Sequence, residues 1–326
     1  MDYELLLTSP GGDSTRDISQ LVQTMSWGGS VDQVAREISV TLAVPRDGSV
    51  TPPPLEEGTV LTLRWEGAAR YTGPLLSATT GSQDSLVDLS SLDRGRFLVG
   101  NEGWYKFTSV TPESAAATLA RDYGIPTAGI ARTGVSVERK FPGVALDKIL
   151  KTLYALAGER TGKRYLIRFT GDGRLEIVER PTAAFLAIAS TMSVTNTWDI
   201  TNLQNSVVIR SESGALVRRV DDAISVKRNG RLEHVITQRD GKDAGAEARA
   251  WLEDHGLTQK LTVETLGDPR LITGEAVILR DTGSGVSGLF WIDADTHTWK
   301  NGQYFCKLTL NFRNLLDKTS AGSEIK

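Results

Sequence analysis

The chain has one cysteine, Cys306, and three histidines, His234, His255 and His297, in 326 residues. A lone cysteine excludes an internal disulfide, and scattered histidines without paired spacing leave no zinc cluster to assemble. Each histidine reads as a surface or cap residue. No segment reaches the roughly 18 consecutive apolar residues of a membrane-spanning helix. The N-terminal MDYELLLTSPGGD opens on an acid and has only Leu5-Leu6-Leu7 at its apolar centre, so no signal peptide and no membrane insertion are expected. An excess of one charge is missing too. The 37 basic and 40 acidic residues are mixed along the chain and give a net charge of −3. Without a basic stripe, sequence-specific nucleic-acid binding is not expected. The reading is of a soluble protein that leaves the cell only as part of something larger.

Catalytic motifs are scarce, and those present fail their structural tests. Gly283-Ser284-Gly285-Val286-Ser287-Gly288 matches the dinucleotide fingerprint, but LFWIDAD after it reads as a strand where a phosphate-binding helix is required. It reads as a hairpin loop. Gly158 to Lys163 has three residues between its glycines, Arg164 where a magnesium-binding hydroxyl belongs, and a helix before it, so it reads as a helix end with a basic exit. Asp293 and Asp295 alternate on one strand face, as a metal or carboxylate pair would, with no third ligand in view. Cys306 alternates with core residues, which makes it a buried and inert thiol. No enzyme activity, catalytic residue, metal or cofactor is expected.

What is present is strand. Glycine, serine, threonine and valine are abundant, and 40% of residues are hydrophobic against 24% charged, which describes an ordinary folded protein of two or three domains. Near the N-terminus a strand is expected to end at Trp27 and turn through Gly28-Gly29-Ser30. The next strand places Ile38, Val40, Leu42 and Val44 on a buried face and Ser39, Thr41 and Ala43 on a small, neutral one. Loops are expected at Pro45-Arg46-Asp47-Gly48 and Thr51-Pro52-Pro53-Pro54, followed by a hairpin from TVLTLRW into Ala69 to Leu76 and a strand from Ser85 to Leu92.

The pattern changes near Phe97. Thr111-Pro112-Glu113 opens a helix that stops at Gly124. Leu146, Ile149, Leu150, Leu153 and Leu156 define a second, which Gly158 should end. Gly171-Asp172-Gly173 turns a hairpin. Strands resume at Thr191 to Thr197, Asn205 to Ser211 and Leu216 to Val220, with a helix from Asp243 to His255 and four further strands to Phe312. The expected domains are 1–97 and 186–316, both strand-built, the latter with a helical insertion near 241–256. A small α+β domain, 98–185, lies between them, and 317–326 is a flexible tail. A faint internal repeat links EEGTVLTLRW…YTGPLL in the first strand domain to LITGEAVILR…SGLFWI in the last, with Gly58 matching Gly274 and Gly73 matching Gly288. Of the seven tryptophans, Trp27 at its glycines and Trp104 in Gly103-Trp104-Tyr105 are candidate interface residues.

Together, SWGGSVDQVAREISVTL, the EEGTVLTLRW-to-YTGPLL hairpin, LDRGRFLVGNE, DYGIP, ALDKILKTLY with TGKRYLI, and WIDADTHTW resemble, in this order, the baseplate hub family of contractile phage tails. The likeness is greatest to the hub of PBSX-like prophages and related phage-tail-like particles. The resemblance implies a T4-like hub fold, mainly β with α+β, in which two tube-like β-barrel domains flank a small α/β domain. It also implies a homotrimer that adapts a hexameric tail tube to a trimeric central spike and contacts other baseplate wedge proteins. Such a chain would occupy the bacterial cytoplasm during assembly and then the virion or tail-like particle. A peptidoglycan hydrolase component or a cell-wall-binding β module is the alternative.

Overall fold

The computed structural model describes residues 3–45, 47–53, 55–81, 85–188, 191–238, 243–314 and 319–325. Arg46 and Pro54 of the expected loops, residues 241–242 of the insertion, and 317–318 and 326 of the tail lie outside them. Strands dominate, with few helices, which is the expected mainly-β class with α+β. The chain forms two compact units: Met1–Val194 with Thr262–Lys326, and Thr195–Leu261.

The larger unit begins with β1 (Tyr3–Thr8), β2 (Thr15–Asp17), β3 (Val22–Ser30), β4 (Glu37–Ala43), β5 (Val60–Trp65), β6 (Ala68–Thr80) and β7 (Leu86–Leu92). Their order in the sheet is β3-β4-β7-β6-β5-β1-β2. Alternation decides the faces. On β4, Ile38, Val40 and Leu42 are buried, while Glu37, Ser39 and Ala43 are exposed. Leu5, Leu7, Leu61, Leu63, Val87 and Leu89 join them in one core.

Sequence and structure part at the glycines. β3 does not end at Trp27 but runs through Gly28 and Gly29 to Ser30. A Cβ on Gly28 would sit 2.6 Å from the carbonyl oxygen of Asp295. The glycines therefore admit a neighbouring strand at close range, and the turn falls later, between Ser30 and Glu37.

The middle segment comprises α1 (Arg96–Val99), β8 (Glu102–Val110), α2 (Pro112–Asp122), β9 (Thr127–Ile130), β10 (Val137–Ala145), α3 (Leu146–Thr161), β11 (Tyr165–Phe169) and β12 (Leu175–Glu179). α2 starts as expected, with Thr111 Oγ1 accepting from the Ser114 amide and Pro112 in the first turn. α3 continues past Gly158, which is buried, and stops at Gly162 in the left-handed conformation, φ 74°. The apolar stripe does not break at Gly158, so packing outweighs its weak helix propensity. Leu119, Leu146, Ile149, Leu150, Leu153, Phe141 and Ile177 form the core here. Residues 319–325, expected as a free polar tail, run beside β10. Ser323 and Lys140 exchange backbone hydrogen bonds of 2.9 and 3.0 Å, and Arg139 Nε donates to the Ala321 carbonyl at 2.6 Å.

Next come β13 (Leu186–Ile188) and β14 (Thr191–Asp199), which leads into the smaller unit. That unit holds β15 (Ser206–Arg210), β16 (Leu216–Asp221), α4 (Ala223–Asn229), β17 (Glu233–Thr237) and α5 (Ala244–Asp254). Its strand order is β16-β15-β17, over a small core of Val207, Ile209, Ile236, Ala244 and Ala248. α4 and β17 have no counterpart in the sequence reading. Both are short and mostly exposed, so neither carries an apolar period.

β18 (Thr258–Leu266) returns the chain to the larger unit, followed by β19 (Ala276–Asp281), β20 (Val286–Lys300) and β21 (Gln303–Asn311). Their order is β14-β18-β21-β20-β19, with β13 beside β19. This is the order of the first module again: β3-β4-β7-β6-β5, with β1 beside β5. The bulges agree as well. β6 slips by one residue at Leu76 against β7, and β20 slips by one at Asp293 against β21. Gly58 and Gly274, matched in the sequence repeat, both have positive φ, 89° and 94°. The repeat is structural, with one correction: in this register Gly73 answers Phe290 and not Gly288, two residues earlier on β20. Neither module closes on itself among the described residues. Instead β20 pairs with β3 from Ala294↔Ser30 to Lys300↔Thr24, fusing both modules into one sheet.

Candidate functional site

Two features of the larger unit could serve a function: the junction where the modules meet, and the polar face of the shared sheet. At the junction, Arg36 lies in the β3–β4 turn and Asp295 on β20. Arg36 Nη1 donates to Asp295 Oδ1 at 3.0 Å, and Nη2 pairs with Oδ2. The Asp295 carboxylate is fully buried and also accepts from the Thr273 amide and hydroxyl, each at 2.6 Å. Burial alone raises a carboxyl pKa, but the Arg36 charge and the hydrogen bonds from His297 and Arg36 outweigh it and hold Asp295 below the usual carboxylate range. The Arg36 guanidinium also lies 4.4 Å over the Trp27 ring. The result is a charge-neutral clamp between modules, built from residues 259 positions apart in sequence.

His297 sits beside it, fully buried rather than at the surface. Its Nε2 faces Asp295 Oδ2 and the Leu271 carbonyl, each at 3.2 Å, so that nitrogen donates. Its Nδ1 then accepts from the Tyr304 hydroxyl at 2.7 Å. Cys306 Sγ lies 3.0 Å from the same nitrogen. A cysteine beside a histidine has the composition of a nucleophile–base pair, but both are sealed in the core, and burial pushes the Cys306 thiol up to about 12. That environment favours the inert thiol over the thiolate. The imidazole accommodates a buried polar cluster. Sequence spacing could not show this, because its partners Leu271, Asp295 and Tyr304 converge only in the tertiary structure.

The Asp293–Asp295 pair resolves into two structural contacts. The bulge at Asp293 breaks the alternation, and Asp293 accepts from Arg180 at 3.1 Å and Asn311 at 2.7 Å. Among the described residues no group of acids, histidines and cysteines is placed to hold a metal.

The second feature is the face opposite the core. A shallow concavity crosses β20, β3, β4, β7 and β6, and its side chains are small and hydroxylated: Thr298, Thr24, Ser26, Ser39, Thr41, Ser90, Ser77 and Thr79. Asp88 and Lys300 are its charged members, and Thr41 donates to Asp88 at 2.7 Å. The sequence identified this face correctly on β4 alone. Five strands share it because the side-chain period of two continues across the paired strands.

The two candidate interface residues part company. Trp27 is 2% exposed and packs its ring 4.6 Å from that of His297, inside the chain. Trp104 is 71% exposed, on strand β8 rather than in a loop. A stronger exposed set, missed in the sequence, lies on and beside β14, where Trp198 is 65% and Met192 58% exposed. In the smaller unit Trp251 is sandwiched between His234 and His255, with centroids 3.7 and 4.0 Å away. His255 caps α5, as its sequence reading had it.

Comparison with known proteins follows this geometry. A family model described as YQBQ-like matches residues 25–311. The phage-like element PBSX protein XkdQ of Bacillus subtilis (strain 168) is 23% identical over 316 residues, 93% of this chain and 96% of that protein. The 43 kDa tail protein of prophage MuSo2 from Shewanella oneidensis shares the fold with a TM-score of 0.71 at 13% identity, covering 96% of this chain and 99% of that one. The tail protein from Neisseria meningitidis MC58 does so with a TM-score of 0.72 at 15% identity, covering 98% and 100%. The resemblance carried by SWGGSVDQVAREISVTL and the later segments is thus a family relationship along most of the chain. The protein belongs to the YqbQ-like family.

Proposed function

We propose that this protein is a structural component of a contractile phage tail or tail-like particle, acting as the baseplate hub. The duplicated sheet carries the proposal. One chain holds two modules of the same strand order and the same bulge, fused edge to edge by β20 and β3. Three such chains around an axis present six equivalent modules to a hexameric tail tube while keeping threefold symmetry for a trimeric spike. Strand segments 1–97 and 186–316 supply the tube-like modules in this reading, and 98–185 the α+β domain. The hydroxyl-lined concave face becomes the conduit wall, a surface with little charge to hold passing cargo. Other baseplate proteins complete the partner set, and assembly begins in the bacterial cytoplasm. The protein works through interfaces, with no catalytic step. The buried Cys306–His297 pair agrees with this, since no substrate reaches it.

Light scattering tests the reading. The purified chain, alone and mixed with a trimeric central spike protein of the same particle, should reach three times the 35.4 kDa protomer mass in one condition or both. A monomer in both conditions overturns it.

A further inference from the structure

The fused sheet shows how one module accepts another, and each module carries both halves of that contact. Within the chain the acceptor is the outer edge of β20, and the strand laid on it is β3. The counterpart of β20 is β6. Its outer segment, Ser77–Thr80, pairs with β7 on one side and has no strand on the other among the described residues. The counterpart of β3 is β14, which lies beside β18 as β3 lies beside β4 and is the edge of its sheet. Its sequence repeats that of β3. Thr191-Met192-Ser193, with Asp199 six residues on, answers Thr24-Met25-Ser26 with Asp32 six residues on. Among the described residues the chain therefore uses one donor strand and one acceptor edge internally, and leaves one of each unused.

We propose that β14 of one copy pairs, antiparallel, with the outer edge of β6 in the next copy, reproducing between chains the β3·β20 pairing within each. Main-chain pairing of this kind supplies affinity along the whole edge. It also covers two exposed edges that soluble proteins otherwise shield. Because donor and acceptor are different strands, the contact is head-to-tail and closes only as a ring.

The shared bulge fixes the register. Leu76 stands where Asp293 stands, so Ala78 and Thr79 take the places of Asp295 and Thr296. Gly29 and Gly28 face those two residues within the chain, and Asn196 and Thr195 take their places in the neighbour. Trp198 takes the place of Val31, whose amide donates to the Asp293 carbonyl at 2.8 Å. The Trp198 amide is thereby aimed at the Leu76 carbonyl. Both of those side chains are exposed in the single chain, Leu76 at 41%, and the pairing brings the two together.

This proposal rests on the hub reading, and the test separates the two. Full-length Thr79→Cys/Thr195→Cys is oxidised under the condition that gives the assembled mass, beside a register control, Thr79→Cys/Asn196→Cys, whose second thiol points to the opposite face. Cys306 is buried and leaves the background clean. The expected result is cross-linked species ending at three chains, at least about tenfold above the control, as a one-residue slip inverts the face. A trimer by mass with no cross-link, with equal cross-linking in both pairs, or with cross-links only inside single chains overturns the strand pairing and leaves the hub reading standing. A chain that never assembles overturns both. As a second test, Leu76→Asp/Trp198→Asp should abolish assembly without moving the melting temperature of the monomer, since both side chains are exposed. Retained assembly overturns the proposal.

Discussion

Asp295 illustrates what a single buried charge costs and secures. Its carboxylate is the ion-pair partner of the Arg36 guanidinium, whose side chain is 13% exposed. Asp295→Ala should destabilise the protein by about 3–5 kcal/mol, the range for breaking one side of a buried pair. Arg36→Met added to it should recover part of that loss in denaturant melts, because no unpaired charge then remains. Asp93 shows the opposite electrostatics. It is buried beside Gly95, whose amide donates to it at 2.8 Å, and burial lifts its pKa to about 6 despite that bond and the Arg36 charge. Between its ordinary value near 4 and about 6 the folded state holds a proton that the unfolded chain releases. This group's contribution is therefore present at low pH and is lost as pH rises through 6. Asp295, with its lowered pKa, contributes fully above pH 4 and loses its contribution in stronger acid. Melting Asp93→Asn against the parent at pH 5 and pH 7 should show a smaller gain on acidification in the variant. An equal gain in both proteins would rule Asp93 out as the source.

Among the elements, β6 and β20 are the least ordinary. Each is long enough to belong to two sheet halves, pairing with one neighbour along its first part and another along its second. Such a strand must bend where its partners change, and the bulges at Leu76 and Asp293 lie at that point. Gly73 is just before the bend in β6, and a Cβ there would meet the Leu92 carbonyl oxygen at 2.1 Å. Since the obstacle is backbone, it cannot rotate away. Gly73→Ala should cost about 1–3 kcal/mol, as overpacking does, and lower the denaturation midpoint at unchanged slope. A midpoint equal to the parent's would mean the strands can part without penalty. The helices were easier to foresee than these strands. α2 and α3 carry caps and stripes within a dozen or so residues, whereas the reason for Gly73 lies on another strand. β20 was foreseen through LFWIDAD, with Asp293 and Asp295 on one strand face, but not onward through His297 to Lys300. The burial of Asp293, Asp295 and His297 rests on Arg180, Arg36 and Tyr304, which no local window contains.

At the scale of the whole molecule, the two compact units differ in the size of their cores. The larger unit has extended clusters of buried apolar side chains. The smaller one has Val207, Ile209, Ile236, Ala244 and Ala248, with half-buried Val220, Trp251 and Leu252 around them. Apolar burial sets most of the stability available to each, so the smaller unit should open first. Amides of β15 should exchange with deuterium well before those of β4, and equal protection of the two strands would contradict that order. Of the larger organisation, the mainly-β character was legible beforehand, as was a weak repeat, to which the tertiary structure added a shared strand order and bulge. The small, hydroxylated face of Ser39 and Thr41 was also readable from residues alone. Period-two and period-3.6 patterns determine which side of an element is buried, and those patterns are local. Only the tertiary structure decided that β3 joins β20, that Arg36 meets Asp295, and that Trp27 is enclosed while Trp198 stands exposed. Side-chain alternation specifies a face but not an edge, and the strand that will occupy an edge is chosen by backbone pairing across more than two hundred residues of chain.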